Sequence, residues 1–205
     1  DRARVDAVVR ELGATASDRV AGGAGDVADR RAVEALMAAA ADRFGGFDVL
    51  VNNAGVGRFV NVDTMSDEDW ADVIGTNLTG PFYCSRAALP FLKRAGAGWI
   101  VNIASLAGKN YFAGGAAYCA SKAGLIAFSE ALMQEVRYDN IRVSVVMPGS
   151  VATEFSHPRV SGSDHDDAWK LSPADVAQVV VDLIAHQARS LPSAVEIRPA
   201  RPKRK

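Results

Sequence analysis

The sequence predicts an α/β fold: a parallel sheet covered on both faces by helices, three layers deep. Three observations predict it. Apolar runs of strand length alternate with stretches of helical periodicity along the chain. The runs "FDVLVNN" (47–53), "WIVNIAS" (99–105) and "IRVSVVMPG" (141–149) are apolar at successive positions, as strands buried on both faces are. Each is followed by enough chain for a helical crossover, which parallel pairing requires.

The elements follow in order. "VDAVVREL" (5–12) carries apolar residues at 5, 8, 9 and 12, one face of a helix. "RVAGGAGDV" (19–27) reads as a strand weakened by its glycines. "RRAVEALMAAAADRFG" (30–45) is a helix rich in Ala and Leu, stopped by Gly45 and Gly46. Strand 47–53 comes next. The stretch 65–93 starts on Ser66 and Asp69, a capping-box-like opening, and its Pro81 and Pro90 predict kinks or breaks. Strand 99–105 precedes a long helix over 118–139. Strand 141–149 ends at Pro148-Gly149, and a Ser-Pro start opens a helix over 172–186. "AVEIRP" (194–199) is a last short strand. Residues 154–172 form a polar, irregular loop after the carboxyl end of a strand, where open α/β sheets bind ligands.

The chain has 205 residues, which fits a single domain over 1–205. It is 49% hydrophobic and 23% charged, the composition of an ordinary globular protein. A net charge of -1 gives no footprint for nucleic acid or an anionic membrane, and the basic tail "RPARPKRK" reads as a solvated terminus. No apolar run reaches membrane-spanning length and no signal peptide opens the chain. Cys84 and Cys119 form no CxxC, so both read as small buried residues in a reducing cytosol, and the expected location is cytoplasmic. No metal site is expected; His157, Asp164 and His165 read as part of a solvated acidic loop.

The chemistry concentrates in "AAYCASKAG" (116–124). Tyr118 and Lys122 stand four apart on a helix, hence on one face. A free phenol titrates near ~10 and is a poor base at neutral pH, but a nearby cation favours the phenolate. Ser105 ends a strand thirteen residues earlier, and "NNAG" (52–55) ends another. Singly, each has a plain structural reading: a surface helix pair, a serine at a strand end, a turn.

Together, Asn77, Ser105, Tyr118 and Lys122, with NNAG upstream, "GDVAD" (25–29) and "MPGSVAT" (147–153), resemble the short-chain dehydrogenase/reductase family over essentially the whole chain. The resemblance implies a doubly wound, Rossmann-type domain and a hydride exchange between NAD or NADP and a small carbonyl/alcohol substrate. It implies that Tyr118 is the general acid/base and that Lys122 lowers its pKa and binds the nicotinamide ribose. Ser105 would hydrogen-bond the reacting oxygen, and Asn77 would hold a proton-relaying water. Asp26 and Val27 would flank the adenine, and Asn53, Ala54 and Gly55 the ribose region. Val151 and Thr153, after Pro148 and Gly149, would hold the nicotinamide carboxamide. The long helices imply a homodimer or homotetramer. The other reading is a non-catalytic binding or assembly protein on the same fold.

The family's opening unit (strand, Gly-rich turn, helix, strand) has no counterpart in the sequence. The first residues resemble the helix that follows it, so we expect a fold truncated at its N-terminus, with about 30 or more residues upstream. The residue that selects NAD or NADP would lie there, so the preference stays open. One substitute exists: "GAGDVA" (23–28) matches a phosphate-loop pattern, but it would set the Asp26 carboxylate against the pyrophosphate.

Overall fold

Four strands form one parallel sheet in the order β1-β2-β3-β4: Val49–Asn52, Gly98–Ile103, Ile141–Pro148 and Ala194–Ile197. In register, Asn52 lies beside Asn102, Asn102 beside Val145, and Val145 beside Ala194. The computed structural model describes residues 1–153, 155 and 167–202. Among these residues six α-helices accompany the strands: α1 Arg2–Ala16, α2 Arg30–Phe44, α3 Asp67–Ile74, α4 Gly80–Ala95, α5 Ala116–Val136 and α6 Pro173–Ile184.

The helices begin and end where local chemistry directs. Asp29 caps α2 by accepting from the Arg31 amide at 2.8 Å, and Gly45 closes it at φ 77°, where a Cβ would be strained. Ser66 caps α3 through the Asp69 amide at 3.0 Å. Ser172 and Asp175 form a full capping box on α6, with Pro173 in its first turn.

The period-two alternation of β2 and β3 divides the core. Ile100, Val143, Val145 and Met147 face α4 and α5, while Trp99, Val101 and Val146 face α6 and Leu183. Both faces of β2 and β3 are therefore covered, which explains their unbroken apolar runs, whereas Val51 of β1 stays 40% exposed. A polar thread crosses the α4/α5 side. Asn52 Nδ2 donates to Asn102 Oδ1 at 2.7 Å and to Ser85 Oγ at 3.2 Å, and Asn102 Nδ2 donates to Ser129 Oγ at 2.8 Å. All four residues are buried, so the thread ties β1 and β2 to α4 and α5 with its polar atoms satisfied.

Two expectations are corrected. Residues 19–27 form no strand: a 3-10 turn covers Ser17–Arg19, and 20–26 lie in no ladder. A strand needs a neighbour for its N–H and C=O groups, and no described strand lies beside these residues. Their glycines serve helix packing instead. A Cβ on Gly22 would press into Val5 and Val9 of α1, and one on Gly23 or Gly25 into Leu36 of α2. The second correction concerns proline. α4 runs through Pro90 and carries Pro81 in its first turn, and the interruption is a π turn at Gly75–Thr79.

Asn52→Ala would leave the buried Asn102 Oδ1 and Ser85 Oγ without their shared donor. We expect a loss of about 1–3 kcal/mol, read as a lower urea unfolding midpoint at unchanged slope.

Candidate active site

The carboxyl ends of β1, β2 and β3 open on one cleft of about 1340 Å³. Asn53, Ala54 and Gly55 line it after β1, Ser105 after β2, Pro148 at the end of β3, and Gly149, Val151 and Thr153 after it. Tyr118 and Lys122 line it from the first two turns of α5. Ten of the sequence-predicted residues are thus brought to one place. Asp26 and Val27 lie apart from this lining: the Asp26 carboxylate accepts from the Ala28 amide at 2.9 Å, and Val27 packs where a Gly80 Cβ would be 2.8 Å from its Cγ2. The glycines of 22–25 are pressed onto α1 and α2, so 23–28 offer no open cradle for a phosphate.

Asn77 sits in the π turn and is fully buried. Its Oδ1 accepts from the Val56 amide at 2.8 Å, and its Nδ2 donates to the Val56 carbonyl at 2.9 Å and to Ser121 Oγ at 3.1 Å. Ser121 Oγ in turn donates to the Tyr118 carbonyl at 2.8 Å. Asn77 therefore links the chain after NNAG to the turn that carries Tyr118. A single point, where a Gly55 Cβ would stand, is 3.4 Å from Asn77 Oδ1 and 3.7 Å from Lys122 Nζ.

Lys122 is 4% exposed, and its Nζ donates to the Ile103 carbonyl at 2.9 Å, at the end of β2. Burial pushes its pKa down to about 8, since removing an ammonium from water disfavours its charge. At pH 7 it is still mostly protonated. Its Nζ lies 5.8 Å from the Tyr118 ring centroid. Gly108 lets the loop after β2 pack on α5, because a Cβ there would meet the Lys122 backbone at 2.9 Å. Ser105 Oγ accepts from the Ala107 amide at 3.1 Å and points toward the Pro148 carbonyl, 3.5 Å away.

The phenol departs from expectation. Burial raises the Tyr118 pKa, and the Ser105 hydroxyl opposes that rise without overcoming it. Desolvation is the largest cause of the shift. Sequence reasoning also missed Ile103, Ser121 and Gly108, which act through main-chain contacts or packing and follow no motif. Cys84 and Cys119 are buried and free, as the sequence predicts, and burial raises the Cys84 thiol. His157, Asp164 and His165 lie outside the described residues, among which no metal-binding cluster occurs. No helix among the described residues is long and apolar enough to cross a membrane.

Comparison with known proteins finds a match to the short chain dehydrogenase family over residues 1–164. A 3-oxoacyl-(acyl-carrier-protein) reductase of Haemophilus influenzae is 40% identical over 131 residues, 64% of this chain and 54% of that protein. The chain thus spans about half the length of that relative. The inactive 2-(S)-hydroxypropyl-CoM dehydrogenase 2 of Xanthobacter autotrophicus is 34% identical over 92% of this chain and 85% of its own. Among solved structures, a metagenomic short-chain oxidoreductase in complex with NADP superposes with a TM-score of 0.83, at 36% identity, over 98% of this chain and 83% of that one.

The lowered Lys122 pKa has a signature in stability. Between pH 8 and 10 the unfolded lysine holds its proton more fully than the folded one, so this group makes the fold more stable as pH rises. Its slope is at most about 1.4 kcal/mol per pH unit. We expect Lys122→Met to remove that rise, compared by urea titrations of both proteins at pH 8, 9 and 10.

Proposed function

This chain belongs to the short-chain dehydrogenase family, and from that premise we propose that it exchanges hydride between a nicotinamide cofactor and a carbonyl/alcohol pair, with Tyr118 as general acid/base. At family level the chemistry is NAD(P)-dependent oxidoreduction, and the cofactor is NAD or NADP. The observation that carries the finer reading is the convergence of Ser105, Tyr118 and a buried Lys122 ammonium on one cleft at the carboxyl ends of the strands.

The donor set suits the ribose and nicotinamide end of such a cofactor. Lys122 uses one N–H on Ile103, which leaves two for ribose hydroxyls. Asn53, Ala54 and Gly55 border the same side of the cleft. Ser150 to Thr153 are held at its rim by the Ala152 amide on the Leu171 carbonyl, 2.8 Å, and the Leu171 amide on the Ser150 carbonyl, 3.0 Å. Val151 and Thr153 would thereby meet the carboxamide.

When bound, the reduced cofactor supplies the hydride that a carbonyl carbon accepts. The Tyr118 hydroxyl gives its proton to the carbonyl oxygen, and Ser105 donates a hydrogen bond to that oxygen as its charge grows. The raised phenol pKa keeps the proton in place until it is needed. The Lys122 charge stabilises the phenolate left behind. In this reading Asn77 holds a water that relays the proton from solvent by way of Lys122.

The whole chain, 1–205, acts as a single nucleotide-binding domain in this reading, in the cytoplasm and as a homodimer or homotetramer. The exposed outer side of α4 supports association: Phe82 is solvent-facing, with the Arg86 guanidinium 4.7 Å from its ring centroid. Sedimentation velocity should give at least twice the mass of one chain. A non-catalytic binding role on the same fold is the second reading, favoured by the inactive relative that matches most of the chain.

Tyr118→Phe separates the two. It keeps the ring and deletes the proton donor, so turnover of any accepted ketone should fall about 10²-fold or more, while cofactor binding, followed by NADH or NADPH fluorescence, persists. Turnover undiminished in that variant would refute the assigned role.

A further inference from the structure

Three phenylalanine rings from three separate loops meet at the Tyr118 side of the cleft. Phe59, after β1, meets the Tyr118 ring edge-on, with centroids 5.5 Å apart at 77°. Phe155, after β3, lies 5.7 Å from the same ring. Phe112, before α5, tilts against Phe59 at 5.8 Å. Two glycines seat these rings. A Cβ on Gly57 would lie 2.8 Å from Phe155 Cε1 and 3.0 Å from Phe59 Cζ, and a Cβ on Gly115 would lie 2.5 Å from Phe112 Cε2. Each ring therefore rests on backbone that only glycine leaves open. Their other faces stay accessible: Phe59, Phe112 and Phe155 are 40%, 46% and 39% exposed. All three line the cleft beside Ser105, Asn110 and Tyr118. Rings seated from below and exposed to a cleft form a ligand surface rather than a core.

On the strength of the oxidoreductase reading above, on which this rests, we propose that the substrate is an aryl ketone or the matching benzylic secondary alcohol. Its aromatic ring sits among Phe59, Phe112 and Phe155, and its oxygen reaches Tyr118 and Ser105. Aromatic rings favour edge-to-face and offset partners at about 4.5–7 Å, the spacing these three already keep with their neighbours. A sugar ketone would set hydroxyls against rings that cannot pair with them. A carrier-bound acyl thioester brings a phosphate that needs a free cation. Among the described residues, the cations in or beside this lining other than Lys122 are engaged: Arg58 with Asp69 at 3.3 Å and Asp72 at 2.9 Å, Lys109 with Glu196 at 3.0 Å, Lys170 with Asp167 at 2.7 Å, Arg198 with Glu196 at 2.7 Å and Arg4 with Asp1 at 4.0 Å. In reduction the carbonyl carbon gains hydride from the dihydronicotinamide. The C=O π pair takes the Tyr118 proton to form O–H, giving the secondary alcohol and oxidised cofactor.

The test has two arms. In the first, kcat/KM with NADH and with NADPH is compared for acetophenone, cyclohexyl methyl ketone, erythrulose and acetoacetyl-CoA. Acetophenone should exceed its saturated analogue tenfold or more. In the second, calorimetry measures acetophenone binding to the Tyr118→Phe protein. Adding Phe112→Leu should weaken binding at least fivefold, and adding Phe112→Tyr, which keeps the ring, should not. Equal use of the two methyl ketones, or a preference for erythrulose or acetoacetyl-CoA, overturns the aryl assignment and leaves the oxidoreductase reading intact. No turnover of any ketone, with ring-dependent binding retained, supports the aryl site and sinks the catalytic reading. Absence of acetophenone binding overturns the inference outright.

Discussion

Parallel pairing is the constraint from which the site follows. Three parallel ladders oblige every strand to finish on the same edge of the sheet. The chain leaves β1 through Asn53, β2 through Ser105 and β3 through Gly149, so three loops distant in sequence share one cleft. α5 is the crossover between β2 and β3, and its N-terminal turns therefore stand at that edge as well. No loop has to be long to reach the chemistry, because the topology delivers its start there.

Within the cleft, two opposing electrostatic effects set the state of the key pair. A buried ammonium loses hydration, so the Lys122 pKa falls to about 8. The phenol loses hydration too, and its pKa goes up. A further positive group in the cleft would act on both: it would favour the phenolate and disfavour the ammonium. The site is in this sense built to respond to what binds beside it.

Polar side chains away from the cleft serve its geometry. The thread Asn52–Asn102–Ser129 fixes β1 and β2 against the helices by hydrogen bonds that an apolar core lacks. The link Val56–Asn77–Ser121 carries that order to Tyr118. The π turn at 75–79 belongs to the same design, since an extra residue in the turn re-aims Asn77 into the interior. Glycines complete it by subtraction: Gly108 lets the β2 loop touch α5, and Gly57 leaves room for the rings of Phe59 and Phe155.

The sequence by itself determined the elements and the chemistry on them. Apolar runs and helical periods marked four strands and the helices between them, and the Tyr-Lys spacing put both groups on one helical face. These signals are local, so a chain read in order reveals them. What failed or was missed was non-local. "RVAGGAGDV" has the look of a weak strand, but a strand exists only where a neighbour accepts its hydrogen bonds, and here its glycines pack on α1 and α2. Pro90 resembles a helix breaker, yet α4 runs through it. The sign of the Tyr118 shift, the carbonyl that holds Lys122 and the ring wall of Phe59, Phe112 and Phe155 were decided by the tertiary structure alone. Each depends on how deeply a group is buried and on what distant residue faces it, and neither is written in sequence spacing.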